Sequence, residues 1–396
     1  MAKILYITTT YLIKNSSAAI RNNSVVKGLV ELGHDVDVFT LEWAEDLSSP
    51  FFIAEKNGNI HTSKLSNLTR IANVKKKLSH NGKFTIKLKQ IIKKILFFPD
   101  ECSEWIKTFD YSSIKHEDYA CMITSSDHKT SHFIGFQIKK QFPNIPWIQI
   151  WGDPWSGDLS TMGFMKGITS HYEAKLLKKA DKIVYVSIVT ANEIQKKFPK
   201  MKEKIYYIPR SFYPISHFTD IKDSESKIRI IYTGLITAGR NIFHLIDVIN
   251  SVQMNNKSIV FDIYGQLAQE IKERLAIYPN VNVHNGVDFE HMAAIYDSAS
   301  ILLFLSNTGG SSQIPGKFFD YMGTTKPILC LMDDEEDEVS AFLKKFDRCL
   351  VLKNDLKNIR MYVQDILKHS NRKYMPEQDF APQKIASHII NLLEIN

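Results

Sequence analysis

Acidic residues are missing from one long stretch of this 396-residue chain: between Lys56 and Pro99 there is no Asp or Glu. The same stretch holds eleven Lys and Arg side chains, more than the net charge of +7 for the whole chain, so the remainder is net acidic. Local basicity of this kind implies an anionic partner or surface. The stretch is poor in aromatics until its end, which argues against a base-stacking platform, and no nucleic-acid partner is expected. Cysteine is scarce and scattered, at Cys102, Cys121, Cys330 and Cys349, with no Cys-x-x-Cys pair. That argues against a disulfide framework or a zinc site and fits a reducing cytoplasm. No apolar run approaches the roughly 18 residues of a spanning helix. The opening MAKILYITTTYL is too short and too polar at its end for a signal peptide and is expected to be a first buried strand. A soluble or peripheral protein follows. The glycines at Gly234 and Gly239 are five apart, so they form no Gly-x-Gly-x-x-Gly fingerprint, and no Walker loop is present. There is no His-x-x-His pair, and His128, His132 and His284 stand singly.

What is present is an ordinary globular composition, 44% hydrophobic and 23% charged, at a length comfortable for two domains. Short apolar runs alternate with helical patterns throughout, which predicts parallel sheets covered by helices. KILYIT, a polar loop, a helix over 19–32 and the strand HDVDVFT open the chain as a βαβ unit. Further strands are expected at ACMITS, IPWIQIW, KIVYVS and IYYIP. The alternation restarts with IRIIYTG, SIVFDIYG, VNVHNG, ILLFL, PILCLM and CLVL. The expected layout is an N-terminal domain over 1–215, a linker over 216–227, a C-terminal domain over 228–380, and a final helix over 381–396. The segment 83–98, KFTIKLKQIIKKILFF, has apolar residues at helical spacing with lysines between them. It is either a basic helix lying on an anionic membrane surface or a helix half-buried on its own sheet with a solvated lysine face.

Two stretches carry chemistry. After the ILLFL run comes SNTGGSSQIPGKFFDYMGTTKP, residues 306–327. Its small residues allow close backbone approach to a ligand, and Pro315 suits the first turn of a helix. Lys317 and Asp320 are three apart and share a helix face. The second stretch, Gly234 to Asn241, places glycines and Arg240 after the first strand of the second domain. Glycine-rich loops with a cation, each at a strand end, favour a diphosphate. Glycosidases need two carboxylates flanking the scissile bond; here the cluster is cationic, which suits stabilisation of a departing diphosphate instead.

PGKFFDYMGTTKPIL resembles the donor-site helix of GT-B fold glycosyltransferases of the family 4-like group, whose pattern is roughly Pro-x-Lys-x-x-Glu-Tyr followed by Lys-Pro. IPWIQIWGDPW resembles the same family's strand ending in Arg-Asp-Pro-Trp, with Gly152 in place of the arginine. Glu173, Ala180-Asp181 and Ser187 also match, and the final helix over 381–396 resembles the closing helix that returns to the N-terminal domain in this fold. The resemblance implies an α/β GT-B architecture, two doubly wound Rossmann-like domains facing a central cleft. It implies a retaining, metal-independent hexosyltransferase without cofactor, using a nucleotide-diphosphate sugar and a glycan or lipid-linked acceptor, as in cell-surface polysaccharide synthesis at the cytoplasmic membrane face. By the same resemblance Arg240 and Lys317 hold the diphosphate, Asp320 holds the ribose, and Gly234, Val287, Ser312 and Gly316 complete the donor site. Asp153 and Arg21 are assigned to the reacting sugars, Asp153 as a catalytic group. Ser312 stands where many members carry a carboxylate. Two further readings remain at this point: a nucleotide-sugar epimerase of the same fold, and a non-catalytic nucleotide-sugar-binding protein.

Overall fold

The computed structural model describes residues 1–66, 96–156, 165–214, 227–236, 239–251, 258–308 and 314–394. Most of the basic segment 83–98, most of the linker 216–227, and Ser312 lie outside the described residues. The chain divides into two compact units, Met1–Tyr213 with Pro382–Asn396, and Pro214–Ala381.

The first unit runs β1 (Lys3–Ile7), α1 (Ser17–Glu31), β2 (Asp35–Glu42), α2 (Pro50–Glu55), β3 (Asn59–Lys64), α3 (Glu104–Thr108), β4 (Cys121–Ser125), α4 (Thr130–Gln141), β5 (Trp147–Trp151), α5 (Lys166–Lys179), β6 (Lys182–Tyr185), α6 (Ile188–Lys197) and β7 (Ile205–Tyr207). Its seven strands are ordered β3-β2-β1-β4-β5-β6-β7, and every pair is parallel. The apolar runs explain this: β4 and β5 are buried at every position, as strands covered on both faces must be. β3 is the exception. It is polar and mostly exposed, an edge strand whose sequence shows little alternation.

The second unit continues β8 (Lys227–Thr233), α7 (Phe243–Ser251), β9 (Ser258–Tyr264), α8 (Gln269–Leu275), β10 (Val281–His284), α9 (Met292–Asp297), β11 (Ile301–Leu305), α10 (Gly316–Met322), β12 (Ile328–Met332), α11 (Glu338–Leu343), β13 (Cys349–Lys353), α12 (Leu356–Met361) and α13 (Val363–His369). The order is β10-β9-β8-β11-β12-β13, again all parallel. β11 and β12 are buried throughout. Each sheet therefore reverses its winding once, at β1/β4 and at β8/β11. Open α/β sheets bind ligands beyond the strand ends at such points.

The last helix, α14 (Pro382–Asn391), belongs to the first unit and lies against α1. Gly28 makes that contact possible: a Cβ there would come 2.1 Å from the Pro382 carbonyl oxygen and 2.9 Å from the Ala386 methyl. Since a backbone oxygen cannot swing aside, Gly28→Ala is expected to destabilise by about 1–3 kcal/mol, the usual cost of overpacking. Urea unfolding checks this; a gain in stability, as for a simple helix glycine replacement, would show that the two helices part easily.

Candidate functional site

In the second unit, the β8/β11 switch point gathers the two predicted cations. α10 is anchored by Phe318 and Phe319, both fully buried, which pack in a ring cluster with Phe342, Phe346 and Phe380. Behind the helix, buried Arg348 donates to the carbonyls of Met322, Thr324 and Lys326 at 2.7–2.8 Å. Nothing in the local sequence marked Arg348 for this role. Pro315 is the residue before the helix rather than inside it.

So anchored, α10 turns Lys317 back toward β8. Its Nζ donates to the Thr233 carbonyl at 2.7 Å and lies 3.8 Å from the centre of the Tyr232 ring. Arg240 reaches the same tyrosine: its Nη1 donates to the Tyr232 hydroxyl at 3.0 Å and to the Leu235 carbonyl at 2.9 Å. Its Nε donates to Asn307 Oδ1, just past β11, at 2.9 Å. Tyr232 is thus a shared platform for both cations, a role no sequence motif announced. Gly234, with φ +113°, sits so close that a Cβ would lie 3.1 Å from Lys317 Nζ. Burial, then the nearby Arg240 charge, pushes the Lys317 amine well below the ordinary lysine value, while Asp320 pulls it up. Asp320 and Gly316 are half-buried on α10. Val287 is half-buried in the loop after β10, two strands from β8 in the sheet order.

The first unit has its own polar cluster at the β1/β4 switch point. Arg21 projects from α1, whose start is capped by Ser16 accepting from the Ala19 N–H at 3.3 Å. Its guanidinium is buried, 3.4 Å from Ser125 Oγ at the end of β4. Burial lowers its pKa, with Asp127 and then Asp153 among the charges that oppose this. Asn22 bridges the strand ends: it accepts from the Ser125 hydroxyl at 2.6 Å and donates to Thr8 Oγ1 at 2.8 Å. Asp127 pairs with Lys129 at 2.5 Å. Burial opposes the Asp127 charge, but Lys129 and Arg21 hold its carboxyl well below the usual carboxylate range. Lys129 also reaches the Asp153 carbonyl at 3.4 Å.

The structure therefore brings Arg21 and the Asp153 segment together and adds Asp127 and Lys129, which sequence reasoning passed over. Their position at the switch point is visible only once the strand order is known. Gly152 acquires a physical reason: a Cβ there would sit 2.7 Å from Arg21 Nη1 and 3.2 Å from Asp127 Oδ2. The rest of the Gly-Asp-Pro-Trp turn is held by buried Glu173, which accepts from the Trp155 N–H at 2.7 Å and from Ser156 Oγ at 2.5 Å. Lys197 pairs with the same carboxylate at 3.1 Å. Two of the three lone histidines have structural partners: His132 bonds Thr124 at 2.7 Å, and His284 stacks on Tyr264 at 4.3 Å beside Asp262. One Asp-x-Asp exists, Asp35-Val36-Asp37, but it lies at the start of β2, away from the ligand end of the sheet. Asp37 there is tied to Lys3 at 3.0 Å and to the Tyr119 hydroxyl at 2.6 Å. Among the described residues no helix is long and apolar enough to cross a membrane.

No protein-family model matches the chain, and no curated protein matches it. Solved structures do. The UDP-GlcNAc 2-epimerase of Neisseria meningitidis, bound to UDP-GlcNAc, superposes with a TM-score of 0.57 at 13% identity, covering 100% of both chains. TarM of S. aureus, in complex with fondaparinux, alpha-GlcNAc-glycerol and UDP, gives 0.58 at 12%, covering 99% of this chain and 96% of that one. The lipopolysaccharide outer core galactosyltransferase WaaB gives 0.54 at 12%, covering 99% of both. With the two parallel Rossmann-like sheets, these likenesses establish a GT-B fold.

Proposed function

We propose that this chain is a nucleotide-sugar enzyme, and specifically a glycosyltransferase that moves a sugar from a nucleotide-diphosphate donor to a glycan or lipid-linked acceptor. The observation that carries the reading is the convergence of Arg240 and Lys317 on Tyr232 at the β8/β11 switch point. Cleavage of a sugar–diphosphate bond develops negative charge on the leaving oxygen. Two cations held in place before the reaction stabilise that charge without reorganising. Asp320, one turn further along α10, is assigned to the ribose. Arg21 and Asp153 in the first unit are assigned to the acceptor. Retention at the sugar carbon, with the donor phosphate taking the acceptor proton, fits a site whose reactive groups are cations rather than a carboxylate pair. No metal is needed in this scheme. The solved structures that hold UDP or UDP-GlcNAc support the donor class by analogy of fold.

The test has two stages. A panel of nucleotide sugars is first screened for the one that raises the melting temperature, as a ligand of the native state must. Product analysis then follows with that donor, with and without acceptor glycans. Transfer only in the presence of acceptor supports the proposal. Conversion of the nucleotide sugar with no acceptor would replace it by an epimerase, a reading favoured by the end-to-end match to the Neisseria enzyme. Thermal shift without either product would leave a binding protein.

Lys317 also sets a pH dependence. Its amine titrates below the ordinary lysine value of 10.5 in the unliganded site, and a bound diphosphate restores the charged form. Donor binding is therefore expected to take up protons, and affinity to fall as pH rises from the depressed value toward 10.5. Calorimetry in two buffers of different ionisation enthalpy checks the sign; proton release on binding would contradict it.

A further inference from the structure

A second cluster in the first unit has the chemistry of a metal site. Asp100 and Cys102 lie in the segment before α3, and His128 follows β4. One ligand atom from each falls within 4.8 Å of the other two. The Cys102 sulfur is 3.3 Å from His128 Nδ1. Zinc bonds of roughly 2.3 Å to sulfur and 2.0–2.1 Å to nitrogen, at a tetrahedral angle, put those two atoms roughly 3.6 Å apart. A shift of a few tenths of an ångström therefore converts the contact into two ligands of one ion.

The surroundings fit as well as the ligands. His128 Nε2, the nitrogen left over, faces Glu101 Oε1 at 3.6 Å, the carboxylate–imidazole arrangement that orients metal-bound histidines. The ring is further held by Trp43, stacked with centroids 6.1 Å apart. Asp100 uses Oδ1 for the Cys102 N–H and the Thr130 hydroxyl, and Oδ2 for the Thr130 N–H. Among the described residues that is three of the roughly four acceptor positions of a carboxylate, leaving one for an ion. His128 and Asp100 are half-buried while Cys102 is fully buried, so the thiol lies innermost and the other two ligands open toward solvent. Thr9 Oγ1 lies 3.1 Å from His128 Nδ1, accepts from the His128 N–H at 2.9 Å and donates to the Asp127 carbonyl at 3.2 Å.

We propose that Asp100, Cys102 and His128 bind one zinc ion, with water or Thr9 completing a tetrahedron. Thiolate and imidazole ligands select a borderline-soft ion over magnesium or calcium. Binding replaces the Cys102 S–H bond by a zinc–sulfur bond, and the proton leaves to solvent. The ion clamps the segment before α3 to the loop after β4. That loop carries Asp127 and Lys129 on either side of His128, so the metal is a positioning element for the polar cluster at β1/β4. This inference stands independently of the sugar-transfer reading.

The experiment is metal analysis of the intact protein, expressed with added zinc and purified without chelator. One zinc per chain is expected, absent from Cys102→Ser and His128→Gln. Glu101→Gln removes no ligand and is expected to weaken zinc by about 10–100-fold, the usual effect of losing an outer partner of a ligating histidine. Cobalt loaded into the wild-type protein should show a near-ultraviolet thiolate-to-metal band and intense tetrahedral visible bands. This arm needs no variant to fold. Zinc content equal in wild type and Cys102→Ser, or bound cobalt without the thiolate band, would overturn the proposal, as would a wild-type protein that takes up no metal at all.

Discussion

Lys317→Met is expected to cut turnover by about 10²–10³-fold, the range seen when one group stabilising a developing oxyanion is removed. The methionine keeps the stem over the Tyr232 ring and drops only the amine, so stability should stay within about 1.5 kcal/mol, as for volume-conserving swaps. The amine is costly to hold in the unliganded site: burial and Arg240 both oppose its charge. Its worth appears only when an anion arrives. The variant is therefore expected to lose the melting-temperature rise produced by the cognate nucleotide sugar while keeping its own midpoint. Comparing the two midpoints, with and without donor, separates a damaged site from a damaged fold. Undiminished turnover in a folded variant would remove Lys317 from the chemistry and the proposal with it.

Gly152→Arg is the second large effect, and its direction is counterintuitive. It converts Gly-Asp-Pro-Trp into the Arg-Asp-Pro-Trp of the resembled family, yet it is expected to inactivate. The place is already taken: Arg21 Nη1 lies 2.7 Å and Asp127 Oδ2 3.2 Å from where the new Cβ must go. The added side chain must displace a buried guanidinium and bring a second positive charge beside it. A loss of about 1–3 kcal/mol from overpacking is expected, together with turnover reduced at least as far as in Arg21→Ala. Combining Gly152→Arg with Arg21→Ala vacates the space, so the pair should lose less than the sum of the two singles, a coupling that a double-mutant cycle measures. A single variant as stable and active as the parent would mean that Arg21 does not need that space.

The fold was largely legible because its strands are covered on both faces. Ile301–Leu305 and Ile328–Met332 are unbroken apolar runs, and each became a fully buried central strand. β3 was faint for the opposite reason: an edge strand needs no apolar alternation, and Asn59–Lys64 has almost none. The spacing of Lys317 and Asp320 was readable because both lie on one helix. Tyr232, Asp127 and Arg348 were not. Tyr232 meets Arg240 and Lys317 from 8 and 85 residues away, Asp127 meets Arg21 from 106, and Arg348 meets its carbonyls from 22–26, across a strand order that no local pattern encodes. Gly152 looked like a loss in the sequence and is, in the structure, the vacancy that lets Arg21 in. The cluster of Asp100, Cys102 and His128 escaped for the same reason: a search for paired cysteines cannot find ligands of three types on two segments.

Because α14 completes the first unit, the unit that is begun first is closed only after the second. During translation the second unit has all of its residues once Ala381 emerges, whereas the α1 surface waits for Pro382–Asn391. Nascent chains of this protein thus carry an uncovered α1 surface until α14 emerges, and premature termination near residue 381 would spoil the N-terminal unit while sparing the C-terminal one.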